Sequence, residues 1–287
     1  MTGNSSERRN ILLLGPALTA VSGVSTHVNM LIGSSLAKHF SLKHFQVGRE
    51  GRAEGKLRRL CRFVLSPLQL GFVLIRARIH IVHINTSMDL KAFWRDLAYL
   101  VVARSLGCRV VNQIHSGSAP QKLFSNPLLV CFTKHFLMAS QVVVVLSTDA
   151  LRSYRAFDPR MPLELIPNAI YTAGLLDAAR GPRDDKAPLN LVYIGRIIRS
   201  KGLFDSLEAL KLLKDQRVPF TFRVAGSGPD EADAREAIRR LGLAQEVTML
   251  GPVFGGDKNR LWLSSDCLLY TSPSPRDRTR SRMPSSA

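Results

Sequence analysis

The densest group of chemistry-bearing residues in this chain is Gly195-Arg196-Ile197-Ile198-Arg199-Ser200-Lys201-Gly202. The apolar run Leu189–Ile194 before it reads as a buried strand. After it, Leu203, Leu207, Leu210 and Leu213 share one helical face. The segment is therefore expected to be a strand-to-helix loop that brings Arg196 and Lys201 to the N-terminus of the helix. Backbone N–H groups and the helix dipole make such a terminus electropositive. Arg196 can fork onto two phosphate oxygens, and Lys201 supplies a compact point charge. The spacing suits a diphosphate. The plainer alternative is a solvated basic helix start, because Arg and Lys are common surface residues.

Other candidates sit where further apolar runs end. His115 follows Arg109–Ile114, at the carboxyl end of an expected parallel strand, where α/β sheets bind ligands. A capping or core histidine is the alternative there. Gly23, in the loop after Ile11–Leu14, would let the backbone approach a diphosphate or sugar without a Cβ clash, or simply serve a turn. Gly226, Gly228 and Gly251 follow the strands Phe220–Ala225 and Val247–Leu250. They either bring backbone groups to a ribose and base or are ordinary turn glycines. His27 falls early in a helix, whereas His83, inside an apolar strand, reads as a satisfied core residue. No Asp-x-Asp pair stands near a strand end, so no metal ligand and no cofactor are expected.

These residues need a scaffold. Short apolar runs at Ile11–Leu14, Ile79–Ile84, Arg109–Ile114, Val142–Leu146 and Leu163–Ile166 alternate with segments of helical length such as Leu90–Leu106. That alternation implies parallel strands with crossover helices, an α/β fold. Residues 1–178 form one expected domain. The polar stretch 179–188 is the expected linker, and a second strand and helix series runs over 189–270. In that series Asp230–Leu241 reads as a helix stopped by Gly242, Lys258–Leu263 as a short helix and Asp266–Leu269 as a fourth strand. Residues 271–287, Ser/Pro/Arg-rich and without periodicity, read as a disordered basic tail or, as the short second series favours, as a tail foreign to a fold cut in mid-domain.

In this order the motifs resemble those of family 4 glycosyltransferases. Val192-Tyr193-Ile194-Gly195-Arg196 followed by Lys201-Gly202 is similar to that family's donor-phosphate motif. Ile166-Pro167-Asn168-Ala169-Ile170 resembles its IPNGI segment, with Ala169 for the usual Gly. Val224 to Pro229 resembles the AGxGP loop, and Val247 to Val253 the VxFLGxV strand and loop. Ser22 to His27 resembles GGVSTH, with Ser22 for the first Gly, and Val82 to Asn85 resembles VHIH. The likeness covers about residues 10 to 266. It implies a GT-B fold, two Rossmann-like domains with parallel sheets facing across a cleft, the second incomplete here. It implies retaining transfer from a UDP- or GDP-sugar to the hydroxyl of a carbohydrate or lipid-linked acceptor. Arg196 and Lys201 would stabilise the leaving diphosphate, and His115 would contact the donor sugar. Gly23, Gly195, Gly226, Gly228, Gly251 and Val253 would line the donor site. The family's ExxxxxxxE element has no counterpart in this sequence. A nucleotide-sugar epimerase on the same fold is the competing enzymatic reading.

Bulk properties narrow the classes further. The formal net charge is +18, of which the last fifteen residues hold four arginines and one aspartate, so the basicity belongs to the body. Such a surface suits nucleic acid, anionic lipid or a phosphorylated ligand. Aromatic residues are 7% with no stacking array and no nucleic-acid motif, which disfavours nucleic acid. The arginine-rich segment Arg49–Arg62 leads into an apolar stretch and suits peripheral contact with an anionic membrane, or else is a solvated loop. Charged residues and Pro67 interrupt Leu60–Ile84, and Lys134 and His135 interrupt Leu128–Leu146, so no transmembrane helix is expected. The four cysteines lack disulfide or zinc spacing, and the polar start lacks a signal-peptide core. Both point to a cytoplasmic protein.

Overall fold

The structure, a computed structural model, describes residues 8–20, 22–48, 55–115, 124–169 and 187–269. They fall into two compact units, each built on a parallel sheet. The tail 271–287, most of the linker (179–186) and residues 49–54 of the basic segment lie outside the described residues.

The first unit runs β1 (Asn10–Gly15), α1 (Gly23–Ile32), α2 (Leu36–His39), β2 (Ser41–Gln46), α3 (Lys56–Arg76), β3 (Ile79–Thr86), α4 (Leu90–Ser105), β4 (Arg109–Ile114), α5 (Pro127–Met138), β5 (Val142–Val145), α6 (Thr148–Phe157) and β6 (Leu163–Leu165). The sheet order is β2-β1-β3-β4-β5-β6. Strand β1 shows why the fold has three layers. Leu12 and Leu14 enter the core shared with α3 and α4, while Ile11 and Leu13 pack against Val28 of α1 on the other face. All four side chains are buried, so the period-2 alternation of the strand needs apolar cover on both sides. Strand β2 escapes the sequence pattern. At the sheet edge, Ser-Leu-Lys-His-Phe-Gln is half-buried throughout apart from one exposed lysine, so no continuous apolar run marks it.

Helix α3 spans 21 residues through Pro67. Proline removes the N–H that would satisfy the carbonyl of Phe63. The Ser66 hydroxyl donates to that carbonyl at 3.4 Å, and Tyr99 Oη of α4 donates to Ser66 Oγ at 2.9 Å. One buried hydroxyl thus repairs the helix and ties it to its neighbour.

The second unit runs β7 (Leu189–Ile194), a 3-10 turn (Arg199–Lys201), α7 (Leu203–Asp215), β8 (Phe220–Ala225), α8 (Glu231–Arg240), β9 (Val247–Gly251), α9 (Gly255–Leu263) and β10 (Cys267–Leu268). The sheet order is β10-β7-β8-β9, all parallel. Its core joins Leu203, Leu207 and Leu210 of α7 to Phe222 and Val224 of β8 and Ala234 and Ile238 of α8. The motif loop does not pass directly into α7. The 3-10 turn intervenes, and Gly202 adopts a left-handed conformation (φ 73°) before the helix starts at Leu203. Helix α9 also starts earlier than the apolar pattern implies, because Phe254 takes the extended N-cap position.

Candidate functional site

In the second unit the candidate residues collect at the carboxyl ends of β7, β8 and β9, and backbone bonds stitch the three loops together. Gly195 N donates to Ala225 O at 3.0 Å, Gly226 N to Gly251 O at 2.8 Å, and Ile197 N to Ser227 O at 3.0 Å. Tyr193, buried at the end of β7, donates its hydroxyl to the carbonyl of Arg196 at 2.8 Å. Two glycines make this closeness possible. A Cβ on Gly226 (φ 152°) would stand 1.8 Å from Gly195 O, and one on Gly228 would stand 2.1 Å from Ile197 O. Both glycines are therefore required by the approach of neighbouring backbone. At Gly251 the space is open but φ is +69°, which strains any L side chain. Gly195 would only bring a Cβ to 3.4 Å from the Tyr193 hydroxyl. Val253 packs with Val192, Ala225 and Leu261 beneath the loops.

The three cations of the motif are used differently. Arg199 is committed to the scaffold. Its backbone N donates to Asp230 at 2.7 Å, its guanidinium pairs with Asp233 at 2.9 Å, and it lies 4.7 Å from the Phe204 ring centroid. Arg196 and Lys201 are exposed, and among the described residues neither has an ion-pair partner. Among the described residues no cluster of His, Cys, Asp and Glu could hold a metal ion.

In the first unit, β3, β4 and α1 bring three histidines together. The His27 ring lies 5.1 Å from that of His115 and 6.4 Å from that of His83. In the sequence His27 and His83 carry little weight, because three histidines so far apart in the chain give no joint signal. Asn85, which its residue type alone does not single out, is a further functional candidate. Its Nδ2 donates to Leu14 O at 3.0 Å, and its Oδ1 faces His115 Nε2 at 3.0 Å. A carbonyl only accepts, so the Leu14 bond fixes which end of the amide is nitrogen. The oxygen then requires a proton on His115 Nε2. The His115 backbone N is held by Thr86 O at 2.8 Å, which fixes the base of the side chain as well.

Electrostatics keep the neighbouring rings neutral. Burial, and after it the nearby His27, push His83 down to about 4, against its bond to Gln113 Oε1, 3.1 Å away. Burial also lowers His27, against the nearby Gln113 side chain. That approach falls short of hydrogen-bonding geometry, and His27 Nε2 and Gln113 Nε2 are both buried without a protein partner. Two such orphaned nitrogens are uncommon in a folded interior. Gly23 is the exposed first residue of α1, whose N-cap Ser22 accepts from Ser25 N at 3.2 Å. Nothing lies within 4 Å of where its Cβ would be.

Two Rossmann-like α/β units with parallel sheets, each with its candidates at the carboxyl strand ends, define a GT-B type of fold. Residues 179–274 match the family described as glycosyl transferases group 1. The alpha-D-kanosaminyltransferase of Streptomyces kanamyceticus is 30% identical over 62% of this chain and 48% of its own length. This chain thus spans about half the length of that relative. Among solved structures, the catalytic domain of starch synthase IV from Arabidopsis thaliana, bound to ADP and acarbose, shares the fold. Its TM-score is 0.60 at 13% identity, covering 91% of this chain and 77% of that one. HepE of Anabaena in complex with UDP gives a TM-score of 0.59 at 15% identity, with 92% and 74% covered.

Proposed function

We propose that this chain belongs to a glycosyltransferase that moves a sugar from a UDP- or GDP-sugar to an acceptor hydroxyl, with retention at the anomeric carbon. The observation that carries the reading is the division of labour in the Gly195–Gly202 loop. One cation, Arg199, is paired with Asp233, while Arg196 and Lys201 stand exposed without ion-pair partners among the described residues. Their loop lies within the part of the chain that matches the glycosyl transferases group 1 family. In the proposed reaction the bond from the anomeric carbon to the diphosphate oxygen breaks, and negative charge grows on the departing nucleoside diphosphate. Arg196 and Lys201 would meet that charge, the task a divalent metal has in other transferases. The acceptor oxygen forms the new bond from the same face and passes its proton to the departing diphosphate. The kanosaminyltransferase relative and the UDP and ADP found in two solved neighbours support a nucleotide-sugar donor.

On the first unit, His115 with its Nε2 proton fixed by Asn85 would meet the sugar, and the orphaned nitrogens of His27 and Gln113 are groups that a polar ligand completes. The acceptor is proposed to be a carbohydrate or a lipid-linked sugar. Arg196→Ala and Lys201→Ala should each lower kcat/KM by about 100-fold, the usual scale for one preorganised transition-state donor. Full activity in Arg196→Ala would refute the reading.

A further inference from the structure

Helix α3 presents two apolar faces where a packed domain needs only one. Its core face carries Leu70, Val73 and Leu74, packed against the sheet and α4, with Ser66 beside them. At about 100° per residue, Val64, Leu65, Leu68, Phe72 and Ile75 fall within a single arc of roughly 100° on the opposite side. Their exposures are 62%, 47%, 71%, 68% and 67%. Scattered exposed leucines need no explanation, but five aligned on one helix form a contiguous patch. The same geometry sets Arg58, Gln69 and Arg76 in a row along one edge of that arc. The span from Lys56 to Arg78 holds six cations and not one carboxylate.

We infer that this face of α3 docks onto an anionic lipid bilayer, with the helix lying in the plane of the interface. The apolar row would enter the acyl boundary while the arginine row remains among the headgroup phosphates, the division that interfacial helices show. The 21-residue helix would lie along roughly 30 Å of surface. It is no membrane span, since no helix among the described residues is long and apolar enough to cross a membrane. A second copy is a poorer occupant: pairing through the stripe would crowd two cationic helices, neither with a carboxylate to offset the other. Gly71 marks where α3 meets α4, because a Cβ there would touch Val102 at 3.5 Å. Leu70 and Leu74, buried on the opposite side, fix the helix to the core, so docking requires no rearrangement there. The inference is independent of the sugar chemistry proposed above.

Flotation of the 287-residue chain with vesicles tests it. The chain should float with vesicles of phosphatidylcholine plus phosphatidylglycerol and remain at the bottom with phosphatidylcholine alone. Raising the salt to 1 M, where the Debye length falls to about 3 Å, should weaken binding more than tenfold. Leu68→Ser combined with Phe72→Ser should weaken it by a similar factor, while Leu212→Ser, at an exposed leucine on α7 outside the stripe, should leave it intact. A Phe72→Trp variant, which disturbs no packing, should show a blue-shifted difference emission on anionic vesicles. No flotation with anionic vesicles, equal flotation of the Leu68/Phe72 variant, or no emission shift at Trp in place of Phe72 would overturn the proposal. So would a dimer mass that collapses to a monomer in the Leu68/Phe72 variant without any vesicle binding, which would assign the face to a second copy.

Discussion

Asn85 on β3 and His115, one residue beyond the adjacent β4, stand with Asn85 Oδ1 3.0 Å from His115 Nε2, and the same amide donates to Leu14 on the far side of β3. One buried side chain thereby spans three strands and sets the tautomer of a histidine at their carboxyl ends. In wild type, the ¹⁵N spectrum of His115 should report a protonated Nε2. Asn85→Leu removes the acceptor and leaves Leu14 O without its side-chain donor. It should cost about 1–3 kcal/mol of stability in urea unfolding and release the tautomer preference. An unchanged His115 spectrum in Asn85→Leu would show that the amide does not set the ring.

The glycines of the second unit divide into two kinds, and alanine separates them. Gly226→Ala and Gly228→Ala place a methyl on a neighbouring carbonyl, so the stitched loops must part. Each should lower stability by about 1–3 kcal/mol, the common scale for overpacking. Gly23→Ala meets nothing within 4 Å and should stay within about 0.5 kcal/mol of wild type. Loss of activity in a fully stable Gly23→Ala would show that this glycine leaves room for a ligand and not for the chain.

Arg196 and Lys201 should separate function from folding. Both are exposed, and replacing either by alanine should change stability by less than about 0.5 kcal/mol. Binding of a UDP- or GDP-sugar, measured by calorimetry, should weaken clearly. Arg199→Ala should behave in the opposite way: it loses the pair with Asp233 and the contact with Phe204, so its main effect should appear in the melting curve.

Acid should destabilise the first unit before most carboxylates titrate. The unfolded chain takes up protons on histidine near pH 6.5, whereas folded His83 resists protonation down to about 4. Protons therefore favour the unfolded state as pH falls through that window, at a cost of up to about 3 kcal/mol. His27 and His44, also lowered by burial, act in the same direction. Equilibrium unfolding between pH 7 and 4 should show the loss, and His83→Asn should flatten part of it. A wild-type stability that stays level across the window would contradict a neutral, enclosed His83.

Much of the fold is legible in the chain itself. Buried parallel strands need apolar cover on both faces, so β1 and β5 stand out as apolar runs and β3 and β4 as apolar runs interrupted by His80, His83, Asn112 and Gln113, while the glycines and prolines between them mark the loops. The strand-to-helix placement of Arg196 and Lys201 follows from the same pattern. Sequence did not show β2, because an edge strand buried on one side needs no apolar run. Nor did it show which cation of the loop is tied down. Arg199 and Asp233 are 34 residues apart, and only the packing of α8 beside the loop brings them to 2.9 Å. The histidine cluster has the same origin. His27 on α1, His83 on β3 and His115 just after β4 are far apart in the chain, and only the parallel register of β3 on β4, with α1 packed on the same sheet, sets the three rings together. Local periodicity decides what each segment becomes. Which distant side chains share a site is decided by register and packing, because those contacts join residues whose separation along the chain leaves no pattern to read.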